Sequence, residues 1–425
     1  MAMTTPRPER HRALLIGCHG GVGEALLAVL EHTDDGRRVL ERLDALLLVD
    51  QLPPRPDAPH PAIGVLLPPA TIASADDLAR LVTEHAITQV VDVSSIDTVD
   101  CTRVCEDLGA DFLCTSVEEW VGRGSYPTDE AIARLLPPRT PQLERRSHLV
   151  GSGANPGIVN ALVYLAMGEL ARRVGVEPTP EALDLAAILI TEEDTTADEE
   201  PVDEATDVFP MTWSPFHCLE ELFEPAAFCA RDGQVVSLGH EPTDSWYRAR
   251  CGDRIIEGMA VPHEEIATLA RYFTTVEIGF IYRLPAVARR ALAAHPDRRH
   301  VGEWQTRRLC PPWTDALTGA DRVGVLLSSR RYGELWAGFD TAVEKGLALG
   351  TNATQLQVAA GIVAGWQQLG RVNGVHFVED LDWSAFLGVA GGVLGSPVVV
   401  HDPSAPPIGM AERVVTPAAA AARPS

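Results

Sequence analysis

His11-Arg-Ala-Leu-Leu-Ile-Gly-Cys-His-Gly-Gly-Val-Gly23 runs from a short apolar strand into a glycine-rich turn and on into a helical stretch, Glu24 to Leu30. Strand, glycine turn and helix, in that order, form a dinucleotide site. The glycines let the turn be tight and seat a pyrophosphate on the helix N-terminus. Gly17, Gly20, Gly21, Val22 and Gly23 are the residues that would hold it. The spacing Gly17, Gly20, Gly23 departs from G-x-G-x-x-G by one inserted residue, or by Cys18 in the first glycine place.

Outward from this stretch, Ala45-Leu-Leu-Leu-Val-Asp50 is a second buried strand ending in an acid. A carboxylate there accepts both ribose hydroxyls and repels a 2′-phosphate, which favours NAD over NADP. Asp50 lies farther from the glycines than the usual ~20 residues, and nearby Arg55 keeps NADP open. The alternation continues with a strand over 62–67, a helix over 75–85, the strand Gln89-Val-Val-Asp-Val-Ser-Ser95, a helix over 98–108 and a strand over 111–115. Strands alternating with helices predict a parallel, doubly wound sheet of the Rossmann type. Ser94 and Ser95 follow the strand in which Asp92 sits, at the end where cofactors bind in such sheets.

Gly151-Ser-Gly-Ala-Asn-Pro-Gly-Ile158 reads as a loop entering an apolar helix that continues to Met167. Free N–H groups at that helix start would favour an electron-rich ligand, with Asn155 and Pro156 beside it; an ordinary loop and helix cap is the plainer alternative. Beyond it, residues 182–191 predict a strand ending at Thr191-Glu-Glu-Asp-Thr195, and 198–207 an acidic turn. A helix is expected from Ala260 to Tyr272, strands at 275–283 and 321–329, and a small-residue helix from Gly350 to Trp366. Strands without regular helices between them imply an α+β domain. The expected division is a disordered tail (1–11), an NAD-binding domain (12–150), a substrate-binding and dimerisation domain (151–345), a C-terminal segment packing back on the nucleotide domain (346–410) and a second disordered tail (411–425).

The formal net charge of -24 argues against nucleic acid and anionic membranes as partners. No run of eighteen apolar residues predicts a membrane helix, and residues 1–12 have no apolar signal core. Eight cysteines show no C-x-x-C pair; Cys101 and Cys105 read as core, no metal site is expected, and a reduced, cytoplasmic setting follows.

Seven short motifs, in order, resemble the homospermidine synthases within the saccharopine dehydrogenase-like enzymes. They are Val91-Asp-Val-Ser-Ser95, Thr115-Ser-Val-Glu-Glu-Trp120, Gly153-Ala-Asn-Pro-Gly157, Thr191-Glu-Glu-Asp-Thr195, Thr212-Trp-Ser214 with Glu220-Glu221, Pro262-His-Glu-Glu265 and Asn352-Ala-Thr-Gln-Leu-Gln-Val358. The resemblance spans about Arg12 to Ala390. It implies a homodimer with bound NAD that is reduced and reoxidised in one turnover. A diamine such as putrescine would become an imine, a second amine would displace ammonia, and the new imine would be reduced to a secondary amine. Two departures fall near the substrate: Pro215-Phe216-His217 where the family has a Val-Asp-Gly-type run, and Glu264 where it has glycine.

That chemistry needs carboxylates and an aromatic face to hold ammonium groups, and one group to move a proton. Trp213 is the cation–π candidate, with Glu221 as counter-charge and Glu192, Asp92 and Glu118 as further acids. His263 suits proton transfer, and Asn155 can orient an amine or the cofactor amide. Each has a plainer reading: a core tryptophan, solvated acids or helix caps, a structural histidine. Two other functions compete. An imine reductase of the saccharopine or carboxyspermidine type would need an arginine clamp, for which Arg248, Arg250 and Arg254 are the sources. A catalytically silent NAD-binding protein would need none of the acids.

Overall fold

The computed structural model describes residues 10–53, 63–120, 128–136, 143–198, 208–314 and 316–415. Arg55, the 121–127 loop and most of the 198–207 acidic segment lie outside the described residues.

The strand His11–Ile16 is central in a seven-stranded sheet. To one side lie Leu43–Val49 and Val65–Leu66. To the other lie Gln89–Asp92, Asp111–Cys114, Ser147–Leu149 and, from far along the chain, Gly374–His376. Every pairing is parallel. Both faces are covered, and the period of two shows in the packing. Ala13 and Leu15 enter one core while Leu14 and Ile16 enter another on the opposite face. The chain reverses its direction of travel between His11–Ile16 and Gln89–Asp92, which opens a crevice at their carboxyl ends.

The second sheet is mixed. Its central strand, Leu185–Asp194, pairs parallel with Glu277–Arg283 and antiparallel with Ala320–Ser329. It runs three residues past its predicted end, so Glu192, Glu193 and Asp194 are strand residues and all are buried. Alternation sends Glu193 to one face, where Arg254, Arg283 and Arg322 meet it at 3.0–3.7 Å. Glu192 and Asp194 face the other way, toward the crevice. Pairing with two neighbours carries the polar residues into the sheet, which a propensity argument cannot register.

Three further boundaries differ from expectation. The strand begins at His11, as its apolar run predicts, one residue inside the 1–11 tail of the expected division. The helix expected over 260–272 is only Glu264–Leu269, because Val261 and Pro262 stay extended and His263 stands at its N-cap. Beyond Ala411, Val414–Val415 pairs with Trp246–Tyr247, and buried Arg413 ties this end to Glu334 at 2.6 Å. The C-terminal segment serves both sheets. Helix Ala353–Gln368 packs on Gly21–His32, whereas Val398–Asp402 extends the mixed sheet. A Cβ at Gly361 of that helix would lie 1.9 Å from the Gly153 carbonyl, so helix and hinge loop meet backbone to backbone.

Candidate active site

The glycine turn is built as a nucleotide cradle. Gly17 has φ +85°, a conformation that excludes side chains at little cost only for glycine. No side chain caps the helix Gly21–His32, so its first N–H groups are left for a ligand. His19 Nε2 is buried there without a partner. Asp50 Oδ2 accepts from His19 N–H at 2.9 Å, which places the carboxylate beside the turn. A pyrophosphate and a ribose fit these groups. Val22 packs partly buried behind the turn.

The loop 151–157 does not supply the anion site anticipated at its helix start. Gly157 N–H donates to Asn160 Oδ1, Ile158 N–H to Gly153 O and Val159 N–H to Ala154 O. The loop's own oxygens therefore consume the helix N-terminus. Its exposed chemistry is the Asn155 amide, which donates to Glu192 Oε2 at 2.6 Å. Pro156 packs its ring toward Gly151.

Around Glu192 the acids accumulate. Asp194 stands opposite Asp321 in the antiparallel register. Thr212 Oγ1 donates to Asp194 and Thr354 Oγ1 to Asp321, both at 2.6 Å. Asp321 Oδ1 and the Tyr282 hydroxyl are buried without partners. Burial, then Asp321 and Asp194, pushes the Glu192 carboxyl well above its ordinary range. Burial raises Asp194 and Asp321 as well. Three buried acids facing one another cannot all ionise without a cation.

His263 is 7% exposed and carries the counter-charge. Burial opposes its protonation, but Glu265 and Glu264 outweigh that and hold its pKa well above the ordinary value. Nδ1 is the partner of Glu265 and lies 3.2 Å from Glu264; Nε2 lies 3.9 Å from Glu221 Oε1. Ligand atoms of His263, Glu264 and Glu265 lie within 4.8 Å of one another, a spacing a metal ion also accepts. Burial pushes Glu221 up to about 8 and Asp92 up to about 7, and Glu118 adds to both.

Trp213 is half-buried against the core, one residue after Thr212. The Thr212 carbonyl accepts from Asn352 at 2.6 Å and from Gln355 at 3.0 Å. The Gln355 amide in turn abuts Gly21, where an added Cβ would lie 2.4 Å from it. The indole is thus carried on a segment braced directly against the nucleotide turn.

A curated relative, the homospermidine synthase of Blastochloris viridis, is 28% identical over 73% of this chain and 74% of its own. That of Mesorhizobium japonicum is 25% identical over 71% and 72%. Both of these relatives, to which the chain is similar over most of its length, are homospermidine synthases. A solved homospermidine synthase from Legionella pneumophila, in complex with NAD, superposes with a TM-score of 0.76 at 18% identity, covering 92% of both chains, and so shares the fold. No family model matches the chain.

Asn155 meets Glu192 at 2.6 Å and His263 Nε2 lies 3.9 Å from Glu221, while Glu118 acts electrostatically on Glu221 and Asp92; Trp213 is packed against the core. The seryl groups each have a protein partner. Ser94 Oγ donates to Asp92 at 2.6 Å and Ser95 Oγ lies 3.1 Å from His217 Nε2, which leaves each hydroxyl acceptor capacity. Asp321, Tyr282, Gln355 and His217 were not singled out as site residues from sequence. Asp321 and Tyr282 are recognisable only through the strand register that sets them beside Asp194 and Glu192. His217 carried a signal, since it stands in the Pro-Phe-His departure. Arg248, Arg250 and Arg254 form no clamp: they pair with Glu257 at 2.7 Å, Asp402 at 2.9 Å and Glu193 at 3.6 Å.

Proposed function

We propose that this chain is an NAD-dependent enzyme that joins amines: it oxidises a diamine such as putrescine to an imine, exchanges ammonia for a second amine, and reduces the product to a secondary amine such as homospermidine. The observation that carries this reading is the group of buried acids that face one another, Glu192, Asp194 and Asp321, each pushed up by burial. A cationic ligand would supply the missing charge. The names of the curated relatives agree with it.

Gly17, Gly20, Gly21, Val22, Gly23 and Asp50 would hold NAD, and the backbone at Ser94 and Ser95 and the amide of Asn155 would face its nicotinamide end. The chemistry NAD supplies when bound is removal of two electrons from the amine carbon and their return at the end of the turnover. The protein's residues do the rest. Glu192 and Asn155 hold the inner nitrogen; Trp213 and Glu221 flank the carbon–nitrogen centre as it becomes an iminium. A cation against the indole face gains about 0.5–2 kcal/mol. His263, kept charged by Glu265, fixes Glu221 by its positive charge. Asp92 and Glu118 attract the distal ammonium.

A reductase acting on an amino-acid imine is disfavoured, because its carboxylates would meet acids here and the available arginines are paired elsewhere. We also read the protein as a cytoplasmic homodimer, a state that light scattering would establish; no helix among the described residues is long and apolar enough to cross a membrane. The test of function is incubation of the purified protein with NAD and putrescine, followed by mass spectrometry for homospermidine and ammonia. Absence of product with every diamine tried would overturn the proposal.

A further inference from the structure

The inner end of the cleft is closed: Glu192 is buried in its strand, and the His263 ring is boxed in by Glu264 and Glu265. The outer end is where a second amine must enter. One imidazole stands there. His217 lies on the helix Pro215–Leu222, one turn before Glu221 and on the same face. Its Nδ1 meets Ser214 Oγ at 2.7 Å, its Nε2 meets Ser95 Oγ at 3.1 Å, and Glu118 Oε2 lies 3.8 Å from Nε2. At 27% side-chain exposure the ring reaches solvent. Ser95 lies in the loop after a strand of the nucleotide sheet and His217 on a helix of the other half, so their contact joins the two.

We propose that His217 is the base that makes the second amine nucleophilic; this rests on the function proposed above. His263 is held as a cation and has no capacity for a further proton, whereas His217 faces hydroxyls and one carboxylate. One proton moves from the incoming ammonium to a ring nitrogen of His217. The freed lone pair forms the new C–N bond to the iminium carbon, whose C=N π pair moves onto the original nitrogen. The adding nitrogen passes a second proton to the original nitrogen, whose bond to carbon breaks and which leaves as ammonia. The ring then gives its proton to that ammonia or to solvent, and nothing is oxidised or reduced in the exchange. Glu118 stabilises the imidazolium meanwhile.

The experiment compares wild type, His217→Ala and His217→Gln with NAD and putrescine, measuring condensed secondary amine against free amino-aldehyde, the hydrolysis product of an imine that was not captured. Glutamine keeps the hydrogen-bonding reach and cannot carry a proton. A ratio of condensed to hydrolysed product lowered about 100-fold in both variants, the scale of a lost general base, supports the assignment. A wild-type ratio in either variant overturns it, and so does loss of aldehyde and condensed product together, which would place His217 in the oxidation. Wild type forming neither compound would instead sink the underlying functional reading.

Discussion

Glutamate 221 offers a pH test that separates a working ammonium site from an inert acidic core. Its carboxyl is pushed up to about 8 by burial, with His263 opposing and Glu264 and Glu265 adding. To hold an ammonium at pH 6 it must first release its proton. Two pH units below its pKa, that release costs about 2.7 kcal/mol, at about 1.36 kcal/mol per unit, so binding at pH 6 should be roughly a hundredfold weaker than above pH 8. Asp92, pushed up to about 7, adds about one further power of ten at pH 6 if it also contacts the ligand. Diamine affinity should therefore climb between pH 6 and 8.5 while the diamine itself stays fully charged, and binding should release protons. Calorimetry in buffers of differing protonation enthalpy counts them. In Glu221→Gln the slope should drop by about one proton across this range, and binding at pH 8.5 should weaken by about 1.5–3 kcal/mol, the worth of a charged hydrogen bond. Equal dissociation constants at pH 6 and 8.5, with no proton release, would refute the claim that these acids face the ligand.

Three other outcomes follow from the same geometry. The empty protein should respond to pH in the opposite sense: Asp92 has a folded pKa raised from 3.8 to about 7, so its contribution is present below pH 3.8 and is lost as pH rises through 7, by about 4 kcal/mol in all. Melting temperature should fall from pH 6 to 8, less so in Asp92→Asn, and a rise would contradict the burial assigned to this carboxyl. Trp213→Ala should weaken putrescine binding about 2- to 30-fold, matching a cation–π contact of 0.5–2 kcal/mol, with a smaller change in NAD affinity; equal losses in two titrations would remove its assigned role. Gly361→Ala should destabilise the fold by about 1–3 kcal/mol or more, because its Cβ would meet the Gly153 carbonyl at 1.9 Å, backbone against backbone; unchanged denaturant midpoints would disprove that close packing.

Local order along the chain was enough to establish the nucleotide half. Ala13 to Ile16, the glycine turn and the alternating strands after it fold through short-range periodicity, and a parallel sheet covered on both faces follows from that alternation. The same short-range information placed Asp92, Glu118, Asn155, Glu192, Trp213, Glu221 and His263 in motifs whose order marks a family. It failed where the partner is set by the folded geometry. The 151–157 loop suggested open N–H groups, but Asn160 and the loop carbonyls, close by in sequence, take them. Nothing in Thr191-Glu-Glu-Asp-Thr195 tells that the strand continues through its acids, since that depends on Ala320–Ser329 pairing alongside. Asp321 and Asp194 are more than a hundred residues apart and become one electrostatic unit only through register. Ser95 and His217 meet across a gap of 122 residues. Side-chain type and spacing decide which elements form and which chemistry is possible. Which charges share a cavity, and therefore which can stay ionised, is decided by strand pairing and helix docking, because electrostatic energy depends on distance and burial in three dimensions.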